Sequence, residues 1–186
     1  MRRMAIAILL GVLLSCSSAW AQGAPKAIIS GGYVALWKGE GVPVHGFFAD
    51  VEGIVSDRIG FAADFGMGSK RFEELGVVVD TKTYTFLFGP RFSSGNRERA
   101  RILGDVLIGG TRYSAGAQVG GEPPLKRSAT AFTFAMGFGV DVNLSKTFAI
   151  RPIFWNFVLG RLTVNGEPDY LFDMRFGAGI ALTLGK

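Results

Sequence analysis

Between Ala131 and Val142 every second residue is apolar and mostly bulky: Phe132, Phe134, Met136, Phe138, Val140 and Val142 alternate with Ala131, Thr133, Ala135, Gly137, Gly139 and Asp141. A period of two marks a β-strand with two unlike faces, and no helical pattern competes with it here. The same alternation runs through Tyr170–Leu182, Tyr84–Phe92 and Ile59–Met67. Less regular stretches at Ile28–Trp37, Gly46–Val55, Arg101–Tyr113 and Phe148–Arg161 bring the predicted strands to eight. Pro152 falls inside the seventh, and because proline in a sheet is confined to edges and bulges, a bulge is predicted there that slips the alternation by one residue.

The connections differ in kind. Ser56-Asp57-Arg58, Ser93 to Ala100 and Asn143 to Thr147 are polar turn sequences of mostly short length. The connections over Lys38 to Pro43, Arg71 to Val79, Ser114 to Arg127 and Thr163 to Asp169 are expected to be longer loops. An even number of hairpin-linked strands, with short turns at one end and longer loops at the other, predicts an all-β fold: an eight-stranded antiparallel up-and-down transmembrane β-barrel.

Alternation alone does not separate a membrane barrel from a soluble, lipocalin-like one, which turns its polar phase to water. The smaller phase here is Gly, Ala and Thr, with charges only at Asp50, Glu52, Asp64, Arg91, Asp105, Asp141, Asp173 and Arg175. That is too little polarity for a solvated face. The opposite phase carries more Phe, Tyr, Met and Ile than the narrow interior of eight strands accommodates. The bulky phase is therefore expected to face lipid and the small phase to fill the lumen.

Composition agrees. Hydrophobic residues make up 48% of the 186, charged residues 19%, and mean hydropathy is +0.31. Beyond the first residues no apolar run reaches the ~18 needed for a membrane helix, which leaves a closed barrel as the way across. Residues 1–21 read as a cleaved secretory signal: Arg2 and Arg3, an apolar core from Ala5 to Leu14, and Ala19-Trp20-Ala21 before Gln22. The barrel domain is then 22–186. The single cysteine, Cys16, lies in the leader, within a Leu13-Leu14-Ser15-Cys16 stretch that would become a lipid-modified N-terminus if processed as a lipoprotein. In the cleaved case the mature chain has no thiol and no disulfide. Without the two leader arginines the balance is 18 basic against 15 acidic residues, and no basic stripe interleaves with aromatics, so nucleic acid is not expected as a partner.

Gly137 to Pro152, with its Gly-Val-Asp followed by Arg151 after the turn, resembles the sixth strand, periplasmic turn and seventh strand of the outer membrane protein β-barrel domain family. This family includes the outer membrane protein A transmembrane domain and small OmpX-like barrels. The layout agrees along the whole mature chain; the sequence likeness is specific from about Thr130 to Leu184. The resemblance implies residence in the cell outer membrane, contact with lipid and lipopolysaccharide, delivery by the barrel-assembly machinery, a monomeric state and no catalytic residues. The chain departs from the family at its end, Leu184-Gly185-Lys186, where an aromatic is usual.

No cofactor or metal site is expected. His45 is the sole histidine, with Val44 and Gly46 beside it and no serine two residues on, so it reads as an interfacial side chain and not as a hydrolase base. Glu73-Glu74 lacks the spacing of a calcium loop. Ile108-Gly109-Gly110 lies within a strand and precedes no helix that could hold phosphate. Trp37, Tyr84, Tyr113 and Tyr170 fall near strand ends and are expected in the headgroup belts. The inward charges Asp64, Arg91, Asp105, Asp141, Arg151, Asp173 and Arg175, with Asn156, are expected to form a paired network that plugs the lumen. The functional expectation is a structural or surface-interaction protein whose loops could meet an extracellular partner. The alternatives are a narrow porin-like channel and a soluble carrier of apolar ligands.

Overall fold

The computed structural model describes residues 27–38, 43–74, 77–94, 99–119, 125–164 and 167–185; the leader and Cys16 lie outside them. Eight strands follow in chain order: β1 (Ala27–Lys38), β2 (Val44–Ser56), β3 (Ile59–Glu74), β4 (Val77–Ser93), β5 (Ala100–Val119), β6 (Leu125–Asn143), β7 (Phe148–Val164) and β8 (Glu167–Leu184). Each pairs antiparallel with its chain neighbours, and β8 pairs with β1 to close the barrel. Closure leaves no free sheet edge within lipid, where an unpaired backbone group would cost several kcal/mol.

The register sets the shape. From Ala27 the row of partners runs through Gly53, Phe61 and Pro90 to the level of Val106, which the pairs Phe88–Ile108 and Arg91–Asp105 bracket, then through Met136, Phe157 and Met174, and returns to β1 at Trp37, ten residues further along. A stagger of that size over eight strands tilts them by about 40° to the barrel axis. Along β6 the outward run from Phe132 to Val142 then spans about 25 Å, the height of an outer-membrane apolar band.

The faces divide as the alternation predicts. Phe47, Phe61, Phe86, Phe88 and Phe132 are each about 60% exposed on the outside, whereas Asp50, Glu52, Arg91, Asp141, Arg151 and Arg175 are buried inside. This inverts a soluble carrier, whose apolar face lines the interior. The register shifts between Arg151 and Phe154, where Pro152 and Ile153 both turn outward, so Arg151, Phe154 and Asn156 all point inward. Without that bulge strict alternation would send either Arg151 or Phe154 to lipid. Trp155 consequently faces out, stacked on Phe176 at 5.5 Å and edge-on to Phe138 at 5.4 Å.

Two expectations are corrected. Most of Arg71–Val79, Ser114–Arg127 and Thr163–Asp169 is strand and not loop: β3 runs to Glu74, β5 to Val119 and β7 to Val164. Ladder partners such as Arg71 with Asp80 and Gln118 with Val78 hold these segments extended after the apolar alternation has stopped. Tyr113 does not join an outer belt. It has the same phase as Asp105 and Thr111, and its side chain turns into the barrel. At the opposite end, where β1 begins and β8 finishes, Ser145 Oγ accepts hydrogen bonds from the N–H groups of Thr147 and Phe148 and tightens the β6–β7 turn.

Candidate functional site

The lumen is built in layers. Ile28, Ile54, Ala149 and Ala181 close the end nearest the termini. Above them lies a ladder of charges contributed by five strands. Arg91 on β4 donates from Nε and Nη2 to both oxygens of Asp105 on β5, at 2.6 and 3.1 Å, and from Nη1 to Asp50 on β2 at 2.6 Å. Asp50 uses its other oxygen to accept from Arg151 on β7 at 2.8 Å, and Arg151 forks onto Asp141 on β6 at 2.7 and 3.2 Å. Glu52, fully buried, lies 3.5 Å from Arg91 and pairs with both terminal nitrogens of Arg101. Planar guanidinium forks match carboxylates in this two-point fashion, which fixes geometry as well as charge.

Sequence phase puts seven charges into one network; the structure divides them. Arg91, Asp105, Asp141 and Arg151 belong to the ladder. Arg175 and Asp64 form a separate two-point pair, at 2.7 and 3.3 Å, nearer the distal end. Gly66 leaves the room for it, since a Cβ there would stand 3.2 Å from an Arg175 nitrogen. Asp173 accepts from Tyr113 Oη at 3.0 Å, close to the Thr133–Thr111 hydroxyl pair. Asn156 lines the space beside the ladder.

The ladder also contains charges beyond those seven. Asp50 and Glu52 share the inward phase, and Arg101 sits at the very start of its strand, where the alternation is not yet readable. Their charged partners lie 39 to 101 positions away in sequence. Phase was the available signal; pairing required the register.

Aliphatic and aromatic side chains take up the rest of the interior. Val34, Leu36, Val44, Phe48 and Phe154 form one cluster, and Ala62, Leu87, Leu107, Ala135 and Val158 another. Phe154 packs edge-on to Phe48 at 4.4 Å and lies beneath the Arg175 guanidinium at 5.8 Å. The space left amid the ladder is about 10 Å³, the room of one water.

His45 stands on the outer face, with its Nδ1 bonded to the Tyr33 hydroxyl. Ser69 is its register partner on β3, a proximity hidden by chain order, and the side-chain hydrogen bond of His45 goes to Tyr33 and not to Ser69. Among the described residues no group of His, Cys, Asp and Glu is placed to hold a metal ion.

A closed eight-stranded sheet with an apolar exterior of lipid-spanning height and a charge-filled interior defines a transmembrane β-barrel of the small outer-membrane class. Solved structures agree in fold. Ail, the attachment invasion locus protein of Yersinia pestis, superposes with a TM-score of 0.61 at 20% identity, covering 86% of this chain and 99% of that one. Neisserial surface protein A gives 0.56 at 11%, covering 86% and 96%, and a major outer membrane protein of Thermus thermophilus gives 0.57 at 8%, covering 85% and 99%. No protein-family model matches the chain, and no curated protein does either.

Proposed function

We propose that this chain is an integral outer-membrane barrel that carries a rigid surface-interaction platform and conducts no solute. The observation that supports it is the continuation of strands past the lipid band at one end only. Pairing of β2 with β3 ends at His45–Ser69, and pairing of β6 with β7 ends at Phe132–Arg161. The ladders between β3 and β4, and between β4, β5 and β6, run on to Glu74–Val77, Val77–Val119 and Ala117–Leu125. A four-stranded sheet therefore projects beyond the barrel rim, backed by a lumen packed with side chains. An ordered, projecting sheet is suited to recognition, whereas a plugged interior is suited to anchorage. The lipid-facing position of His45 and its hydroxyl partner Tyr33 support a non-catalytic reading.

The test is an epitope inserted between Val119 and Leu125, expressed in a Gram-negative cell. The protein is expected in the outer-membrane fraction, with gel mobility that changes on heating, and the epitope is expected to be labelled by antibody on intact cells. Recovery in the soluble extract, or labelling only after permeabilisation, overturns the proposal.

A further inference from the structure

The outer face is not uniform around the barrel. On β4 the outward positions Phe88, Phe86, Tyr84 and Lys82 follow one another toward the distal end, and on β5 so do Ile108, Gly110 and Arg112. Gly110 carries no side chain on this face and, with the Gly109 backbone beside it, leaves a depression between flanking rings. Together with Ala63, Phe65, Phe86 and Phe88 they line an almost wholly apolar groove of about 420 Å³, roughly the volume of one fatty acyl chain. Phe65 and Phe86 form its wall, with ring centroids 5.0 Å apart.

Directly beyond the groove stand two exposed cations. Tyr84 is the register partner of Arg112, and Lys82 that of Ser114, so Lys82 and Arg112 are diagonal neighbours with Cβ atoms about 7–8 Å apart. Their long side chains can converge on one anion. Among the described residues neither has a carboxylate partner, whereas the nearby Arg71 faces Asp80 across the ladder. At the opposite end the outward strand positions include Ile59, Phe92, Ile102 and Ile150, and the exposed cations there, Arg58, Arg99 and Lys146, lie in the connections and not on the strand face.

We infer that this face of β3–β5 is a binding site for one phosphate-bearing, multiply acylated glycolipid of the distal leaflet: an acyl chain lies in the groove, and a doubly charged phosphate monoester sits between Lys82 and Arg112. Two cations against one phosphate favour a monoester over the singly charged diester of a phospholipid. The inference rests on the reading of the chain as a membrane barrel and adds a specific lipid to it.

The test uses the folded full barrel in non-ionic detergent, with bisphosphorylated lipid A as probe and native mass spectrometry as readout. Wild type is expected to retain one lipid A. The surface pair Lys82→Gln/Arg112→Gln is expected to weaken retention at least ten-fold. Gly110→Leu is expected to do the same by filling the groove, and it is sterically open because a Cβ there meets only the Ala131 carbonyl oxygen at 3.6 Å. Arg161→Gln, an exposed cation on β7 away from the groove, is expected to leave binding unchanged. Equal retention of phosphatidylglycerol, displacement by inorganic phosphate, unaltered binding by the double variant, or an equal loss with Arg161→Gln overturns the site. Heat-dependent gel mobility is recorded for every variant. A folded wild type that holds no lipid A refutes the lipid site alone; a chain that needs no detergent refutes the barrel reading as well.

Discussion

Arg91 is a member of the lumen ladder whose removal has a calculable effect. It is 2% exposed and supplies both of the Asp105 hydrogen bonds as well as one of the two arginine contacts of Asp50. Replacing it with methionine fills similar space and leaves Asp50 with Arg151, but it strips Asp105 of its guanidinium partner. Breaking one side of a buried ion pair in this way costs about 3–5 kcal/mol, because the remaining charge stays out of water without compensation. With a urea dependence of about 1–3 kcal/mol per molar, the unfolding midpoint of the barrel in lipid vesicles should fall by about 1 M or more. Arg91→Met/Asp105→Leu, which removes both ends of the fork, should recover most of the loss, since an apolar pair of similar volume is usually neutral or better than the ion pair. A single variant whose midpoint stays within about 0.3 M of wild type, or a double variant as unstable as the single, would refute the view that burial of an unpaired carboxylate controls stability here.

Four further outcomes follow from the same geometry. Gly177→Ala should destabilise by about 1–3 kcal/mol, because the added methyl runs into the Phe154 ring, while Gly53→Ala, with nothing within 4 Å, should be neutral in the same urea titration. Purified protein in planar bilayers should show no stable single-channel conductance; a reproducible open level would mean that the lumen is not filled as described. Bromines near the acyl-chain ends should quench Trp155 most strongly and shallow bromines should quench Trp37, since Trp155 sits on the outer face near mid-height and Trp37 at the distal edge of the band. Absence of quenching at both would remove the outside from lipid. Arg91→Met/Asp105→Leu should regain equilibrium stability yet insert into vesicles with a lower yield of the heat-modifiable form, and an unchanged yield would show that the charges do not guide insertion.

The strand phases were legible because the amino acids on the two faces differ so sharply. Phe132 to Val142 and Tyr170 to Leu182 needed no partner information to separate lipid side from lumen side, and Pro152 announced its bulge because a proline cannot donate within the ladder. Strand length was not legible. Val77–Asp80 and Ser114–Val119 project past the lipid, where neither face has to be apolar, so the alternation that identifies a strand fades although the ladder continues. Tyr113 misled for a related reason: near the end of its predicted strand a tyrosine suits a headgroup belt, and only the inward phase shared with Asp105 and Thr111 distinguishes it. The ion pairs depended on register. That Arg175 meets Asp64 and not Asp173, two residues away on its own strand, follows from which strands face one another across the interior, and no local pattern carries that information.

The apolar exterior and the charged interior constrain each other. Buried ion pairs contribute little net stability compared with hydrocarbon of equal volume, so the ladder is poorly explained as a source of strength. Its effect on misfolded alternatives is larger. A slip of one residue in any strand would exchange its faces and place Asp50, Glu52, Arg91 or Arg151 against acyl chains, where an arginine near the midplane costs about 2–4 kcal/mol. Because the charges lie on β2, β4, β5, β6 and β7, a slip in most strands meets that penalty. β1 has no charge on its inward face between Ile28 and Leu36, and there the constraint comes from size: Gly32 and Gly179 lie where a side chain would strike the neighbouring backbone. Charge therefore selects the inward face of the five ladder strands and, through Asp64 on β3 and Asp173 and Arg175 on β8, of two more, and steric fit of glycines selects it on β1 at the seam that closes the barrel.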